Sequence, residues 1–107
     1  MKEDQLVEAF AAIGLTLQPG LDTTAEGRYA VYAYDTEGSL YGDDCIGIEY
    51  RSWVVVFVAP LAVDERSTRQ QIRQIIEELF GVRPSEEDAT GDTGGQKFLY
   101  AFETIEV

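Results

Sequence analysis

Trp53-Val54-Val55-Val56-Phe57-Val58 is apolar at every position, and Asp64 to Phe80 follows it with apolar residues at helical spacing. A run apolar at both alternate positions reads as a central strand with a helix, another sheet or another subunit packed on each side. The β-rich stretch runs from Cys45 to Ala59, with a bend expected at Arg51-Ser52. In the segment after it, Ile72, Ile75, Ile76 and Leu79 recur at intervals of three and four, which makes one apolar stripe on a helix. Asp64 suits the N-cap and Glu65 the first turn, while Gly81 and Pro84 close the end.

Upstream of that core, Arg28 to Tyr34 alternates: Tyr29, Val31 and Ala33 point one way, Ala30, Tyr32 and Tyr34 the other. Residues 3–13 read as an N-terminal helix with Leu6, Phe10 and Ile13 on its apolar face and Gly14 as its stop. Leu15 to Leu17 reads as a short strand ended by Pro19-Gly20, and Asp35 to Ser39 is loop chemistry before a return at Leu40-Tyr41. Downstream, residues 85–95 read as a polar, flexible loop. Gln96 to Val107 is the closing strand, with Phe98, Tyr100 and Phe102 on its core face. The order predicts one α+β domain over residues 1–107: a mainly antiparallel sheet of about four strands with two helices on one face.

Composition narrows the function. Twenty Asp and Glu against eight Lys and Arg give a net charge of −12 on 107 residues, with no histidine. Such a chain has no basic footprint for nucleic acid and repels acidic membranes. It also lacks the commonest general base and metal ligand. One cysteine excludes an internal disulfide and suits a reducing cytoplasm. The acidic start Met1-Lys2-Glu3-Asp4 is unlike a signal peptide, and the apolar run from Trp53 to Val63 is too short to span a bilayer. A soluble, non-enzymatic protein without a cofactor is expected.

Four groups of residues are candidates for chemistry. Asp43-Asp44 beside Cys45 lacks the spaced oxygens of a hard-cation cage and reads as a solvated turn. Cys45 has no histidine to activate it and reads as a buried thiol. Gly91-Asp92-Thr93-Gly94-Gly95 lacks the Lys-Ser/Thr ending of a phosphate loop. The acids Glu86, Glu87, Asp88 and Asp92 read as a solvated loop or an acidic docking surface. A catalytic carboxylate pair has no motif behind it.

The arrangement that points to interaction is Arg66, Arg69 and Arg73, spaced i, i+3, i+7 along one side of the second helix. With acids clustered elsewhere, at 35–44 and 86–92, such a stripe suits head-to-tail docking between copies. The plainer reading is a solvated helix face with local pairs, such as Arg69 or Arg73 with Glu77.

Tyr29-Ala30-Val31-Tyr32-Ala33-Tyr34, Tyr41-Gly42-Asp43-Asp44, Trp53-Val54-Val55-Val56-Phe57, Glu65 to Leu79 and Phe98-Leu99-Tyr100-Ala101-Phe102-Glu103 follow one another in the chain. In that order they resemble the small tail-terminator or minor tail-completion proteins of long-tailed bacteriophages and prophages. The resemblance covers most of the chain from residue 29 onward. Trp53 to Val58 departs from it, being more uniformly apolar than the family's alternating strand. The resemblance implies a ring, typically a hexamer, that caps the tail tube and meets head-completion proteins. It also implies a location in the bacterial cytoplasm during assembly and in the virion tail afterwards. An acidic lumen would let DNA slide without sticking, and Arg66, Arg69 and Arg73 would sit between subunits. The competing reading is a monomeric acidic binding protein, an immunity protein or a DNA-mimic inhibitor of a nuclease, whose acids form a decoy for a basic site.

Overall fold

A computed structural model describes residues 2–20, 22–23, 27–37, 49–90 and 95–106. The elements in chain order are α1 (Lys2–Ala12), β1 (Leu17–Pro19), β2 (Tyr29–Glu37), β3 (Glu49–Ala59), α2 (Arg66–Phe80), β4 (Ser85–Asp88) and β5 (Gln96–Glu106). The strands form one five-stranded sheet in the order β1-β2-β3-β5-β4. Only the β1–β2 pair is parallel.

The fold is the expected α+β class, and β3 is the central strand. It pairs along its whole length with β5 and over Tyr50–Val58 with β2. No bend interrupts it at Arg51-Ser52: both residues keep the alternation, Arg51 opposite Thr104 and Ser52 opposite Glu103. Trp53, Val55, Phe57 and Ala59 point toward the helices and join Leu6, Phe10, Ile72, Ile76, Phe98, Tyr100 and Phe102 in the main core. Both helices thus cover the same face.

Helix ends follow backbone chemistry. Gly14 at φ +81° and Gly81 at φ +71° stop α1 and α2 in the left-handed conformation that glycine adopts without a Cβ penalty. The Gly81 N–H donates to Glu77 O at 2.9 Å. The start of α2 lies slightly later than the sequence suggests. Glu65 holds the cap position, and Asp64 precedes it, its Oδ1 accepting the Arg66 N–H at 3.1 Å. The Glu65 side chain turns inward instead, where its buried carboxylate accepts from Arg28 Nε (2.7 Å) and Thr68 Oγ1 (3.1 Å). That ion pair ties the start of β2 to the start of α2.

Further expectations are corrected: β2 continues through Asp35, Thr36 and Glu37, read as loop, and the short strand is Leu17–Pro19 and not Leu15 to Leu17. Ser85–Asp88, read as loop, is a fourth antiparallel partner strand, with Ser85 opposite Ala101 and Asp88 opposite Phe98. A stretch containing Glu86, Glu87 and Asp88 has poor strand propensity. Its strand is created by pairing to the edge of β5 and by what holds Glu86, described below. Both sheet edges are thereby short, one with Pro19 and the other strongly acidic, which disfavours edge-to-edge aggregation. Asp43, Asp44, Cys45 and Asp92 lie outside the described residues.

Candidate functional site

The sheet register divides the chain's chemistry between two faces. On the helix side, β4 presents Glu86 beneath α2, where Arg69 and Arg73 stand one turn apart. Arg69 Nη2 donates to Glu86 Oε1 at 2.9 Å and Arg69 Nε to Oε2 at 3.2 Å, a two-pronged grip that suits a planar guanidinium. Arg73 Nη1 donates to Oε1 at 2.7 Å. Tyr100, wholly buried, donates its hydroxyl to Oε2 at 2.6 Å. The Arg69 guanidinium also lies 4.1 Å from the centre of the Phe98 ring. Glu86 is therefore the hub of a clasp that joins β4, β5 and α2.

The electrostatics follow from these contacts. Burial raises the Glu86 carboxyl, but hydrogen bonds from Arg69 and Tyr100 and the charges of Arg69 and Arg73 outweigh it and hold the group below its ordinary value. The Tyr100 phenol is pushed far up, by burial first and then by the Glu86 carboxylate it faces. At neutral pH the clasp is a fixed arrangement of an ionised carboxylate, two guanidinium groups and a protonated phenol. Such an arrangement braces β4, β5 and α2 against one another. A second carboxylate–phenol contact joins α1 to β2: Tyr32 donates to Glu3, and burial followed by that hydrogen bond pushes the phenol up to about 12.

The three arginines of the stripe thus have partners within the chain. Arg69 and Arg73 share Glu86, and Arg66 pairs with Asp64 at 2.8 Å, both of these last two side chains being exposed. Glu77, expected as a local partner of Arg69 or Arg73, lies instead 3.4 Å from Arg83. Glu86 is turned inward, whereas Glu87 and Asp88 are exposed, the latter accepting the Thr90 N–H at 2.9 Å. The role of Tyr100 was not visible in the sequence. Its phase in β5 marks it only as a core residue, and its acceptor lies on a strand that the sequence does not announce.

The other face of the sheet is chemically different. Register places Tyr29, Val31, Ala33 and Asp35 of β2, Tyr50, Ser52, Val54, Val56 and Val58 of β3, and Lys97, Leu99, Ala101, Glu103 and Ile105 of β5 on it, with Glu87 of β4. Val31, Val56 and Val58 are buried at its centre, against Tyr29, Val54 and Leu99. Asp35, Glu87 and Glu103 are exposed on it.

Among the described residues, no group of three or more Asp, Glu or Cys side chains converges as a metal site. No helix among them is long and apolar enough to cross a membrane. No protein-family model matches the sequence, and no curated protein matches it.

Proposed function

We propose that the chain is a non-enzymatic structural protein of a long-tailed phage or prophage. In this reading it is a tail-terminator or head–tail joining component that self-assembles into a ring, a hexamer, around a DNA conduit. The observation that carries the reading is the acidic character of the sheet face turned away from the helices, from which the arginines are absent among the described residues. Arg28, Arg51, Arg66, Arg69, Arg73 and Arg83 all lie on the helix side or pair with helix residues. The opposite face carries the exposed acids Asp35, Glu87 and Glu103 with Lys97 as its one described cation. A surface of that kind facing a lumen repels phosphates and lets DNA pass. The partners are other copies of the chain and the tail and head-completion proteins at either rim, met in the bacterial cytoplasm and retained in the virion tail. Of the arginine stripe, Arg66 is the member free to exchange its partner for a neighbour's acid, because its pair with Asp64 is solvent-exposed and weak.

Native mass spectrometry and light scattering across concentration and salt, with negative-stain images, test the reading. A closed ring with an open centre is expected. A strict monomer under all these conditions, and in the presence of purified tail tubes, refutes it.

A second reading is favoured by a different observation. Arg28, Arg66, Arg69, Arg73 and Arg83 are all engaged by carboxylates of the same chain, so five of the eight basic residues leave little free positive charge. A monomeric acidic binding protein, an immunity protein or a DNA-mimic nuclease inhibitor, would use that surplus of acid as a decoy. Tight, salt-sensitive capture of a cationic nuclease by the monomer would favour it.

A further inference from the structure

Among the described residues, large apolar side chains are exposed at four positions: Leu61 (62%), Val63 (43%), Tyr50 (44%) and Ile105 (64%). They fall into two patches at opposite ends of one strand. Tyr50 and Ile105 are cross-strand neighbours at the start of β3, while Leu61 and Val63 lie in the turn that follows its end. At the rise of a β-strand the patches are roughly 33 Å apart.

The second patch is a rigid knob. Pro60, Leu61, Ala62 and Val63 are all exposed, and an exposed run of apolar residues is a liability unless it is used. The Val63 N–H donates to Pro60 O at 3.3 Å, and Gln96 Nε2 donates to both Pro60 O (2.8 Å) and Val63 O (2.7 Å). Beneath the turn, Gly95 packs so closely on Ala59 that a Cβ there would lie 2.1 Å from the Ala59 carbonyl oxygen. A knob already held in shape loses little freedom on docking.

We propose that copies of this chain join head to tail, the Pro60–Val63 knob of one seated on the Tyr50/Ile105 patch of the next. The inference rests on the ring reading above and supplies its contact. Charge selects this pairing over symmetric ones. Asp35 and Glu103 flank the Tyr50/Ile105 patch and would face their own copies in a two-fold contact. The knob instead brings Arg66, 84% exposed and offset by one Asp64, beside those acids. Head-to-tail contact also covers both patches on every subunit, and a rotation that closes gives a ring. A knob of four residues on a patch of two is small beside the roughly 1,600 Å² of a standard stable interface. Closure reinforces contacts of that size by holding each subunit at two ends, while a single contact still forms at millimolar protein concentration.

The test uses the full chain and two surface variants, Leu61→Asp and Ile105→Asp, whose folding is checked by thermal melting. Sedimentation velocity and native mass spectrometry read the assembly up to millimolar concentration. Each variant alone is expected as a monomer. Their equimolar mixture is expected to form a heterodimer of twice 11.9 kDa and nothing larger, because one variant keeps a good knob and the other a good patch. Wild-type rings with variants that still form rings would overturn the contact and leave the ring reading standing. Dimers of Leu61→Asp alone, or a mixture that stays monomeric, would overturn head-to-tail docking. A wild type that is monomeric throughout would overturn the contact together with self-assembly of the isolated chain.

Discussion

Replacing Glu86 by Gln removes the one negative charge on which Arg69, Arg73 and Tyr100 converge. A charge-assisted hydrogen bond contributes about 1.5–3 kcal/mol. The guanidinium groups of Arg69 and Arg73 are partly solvated, with side chains 28% and 38% exposed, so about 1 kcal/mol each is a fair discount. The amide keeps one acceptor for groups that had two, and a buried donor left short of a partner costs about 1 kcal/mol more. The sum is about 3 kcal/mol. At about 4 °C per kcal/mol for a domain of this size, the melting temperature drops by about 12 °C. Urea unfolding checks the energy, with an unchanged m-value showing that the unfolded state is not what moved. Glu87→Gln is the matched control: the next residue of the same strand, exposed on the other face, where a change within about 0.5 kcal/mol is expected. A double-mutant cycle with Tyr100→Phe should give a coupling above about 0.5 kcal/mol. If Glu86→Gln is no more damaging than Glu87→Gln, the clasp does not hold β4 to α2 and the reasoning fails.

The same clasp makes stability fall in acid. The folded state holds the Glu86 carboxyl below its ordinary 4.5, so the unfolded chain takes up its proton first, and stability present above that pH is lost as pH drops through the lower folded value. Glu86→Gln should flatten that part of a pH-denaturation curve. In alkali the sign reverses. Tyr32 ionises at an ordinary 10.0 when unfolded and at about 12 when folded, so its contribution is intact below 10.0 and is lost as pH rises toward 12. A phenolate absorbance titration in which no tyrosine is delayed beyond the ordinary range would contradict this. Gly95→Ala should cost at least about 2 kcal/mol in urea unfolding, because the new methyl meets backbone and not a movable side chain. Thr104→Val removes the acceptor of the buried Trp53 Nε1, 3.0 Å away, and should cost about 1–2 kcal/mol with a change in tryptophan emission.

Much of this architecture is written in residue periodicity. Leu6 and Phe10 in α1, Ile72 and Ile76 in α2, and the alternation of β2 and β5 all place their side chains where the 3.6- and 2-residue periods put them. The uniform apolarity of β3 matches burial on both of its faces, Trp53, Val55 and Phe57 in the main core and Val56 and Val58 in the smaller cluster opposite. The sequence is silent on β4, because Ser85–Asp88 has no alternation and no β-branched residue. Its strand depends on contacts supplied from α2 and β5. For the same reason the arginine stripe is visible as a spacing while its partner is not: Glu86 is 17 positions from Arg69, and nothing local marks it. The exposed turn from Pro60 to Val63 is visible as composition, but its rigidity depends on Gln96 and Gly95 across the chain.

These placements bear on how so acidic a chain would associate in the proposed ring. A subunit of charge −12 repels its copies, and most of its arginines are tied to its own carboxylates. Ionic pairing between copies therefore has few cations outside these pairs to use, and in the proposed ring the attraction comes from apolar surface. Salt acts oppositely on the two functional readings. Shortening the screening length from roughly 14 Å near 0.05 M to about 4 Å near 0.5 M weakens repulsion between like-charged copies, so an apolar-driven ring forms at lower protein concentration. The same screening weakens capture of a cationic partner by an acidic decoy. The sign of the salt effect on association thus separates the two. A ring that dissolves on adding salt would show that ionic pairs across the subunit boundary hold it, Arg66 of one copy with the acids of the next being the pair first in reach.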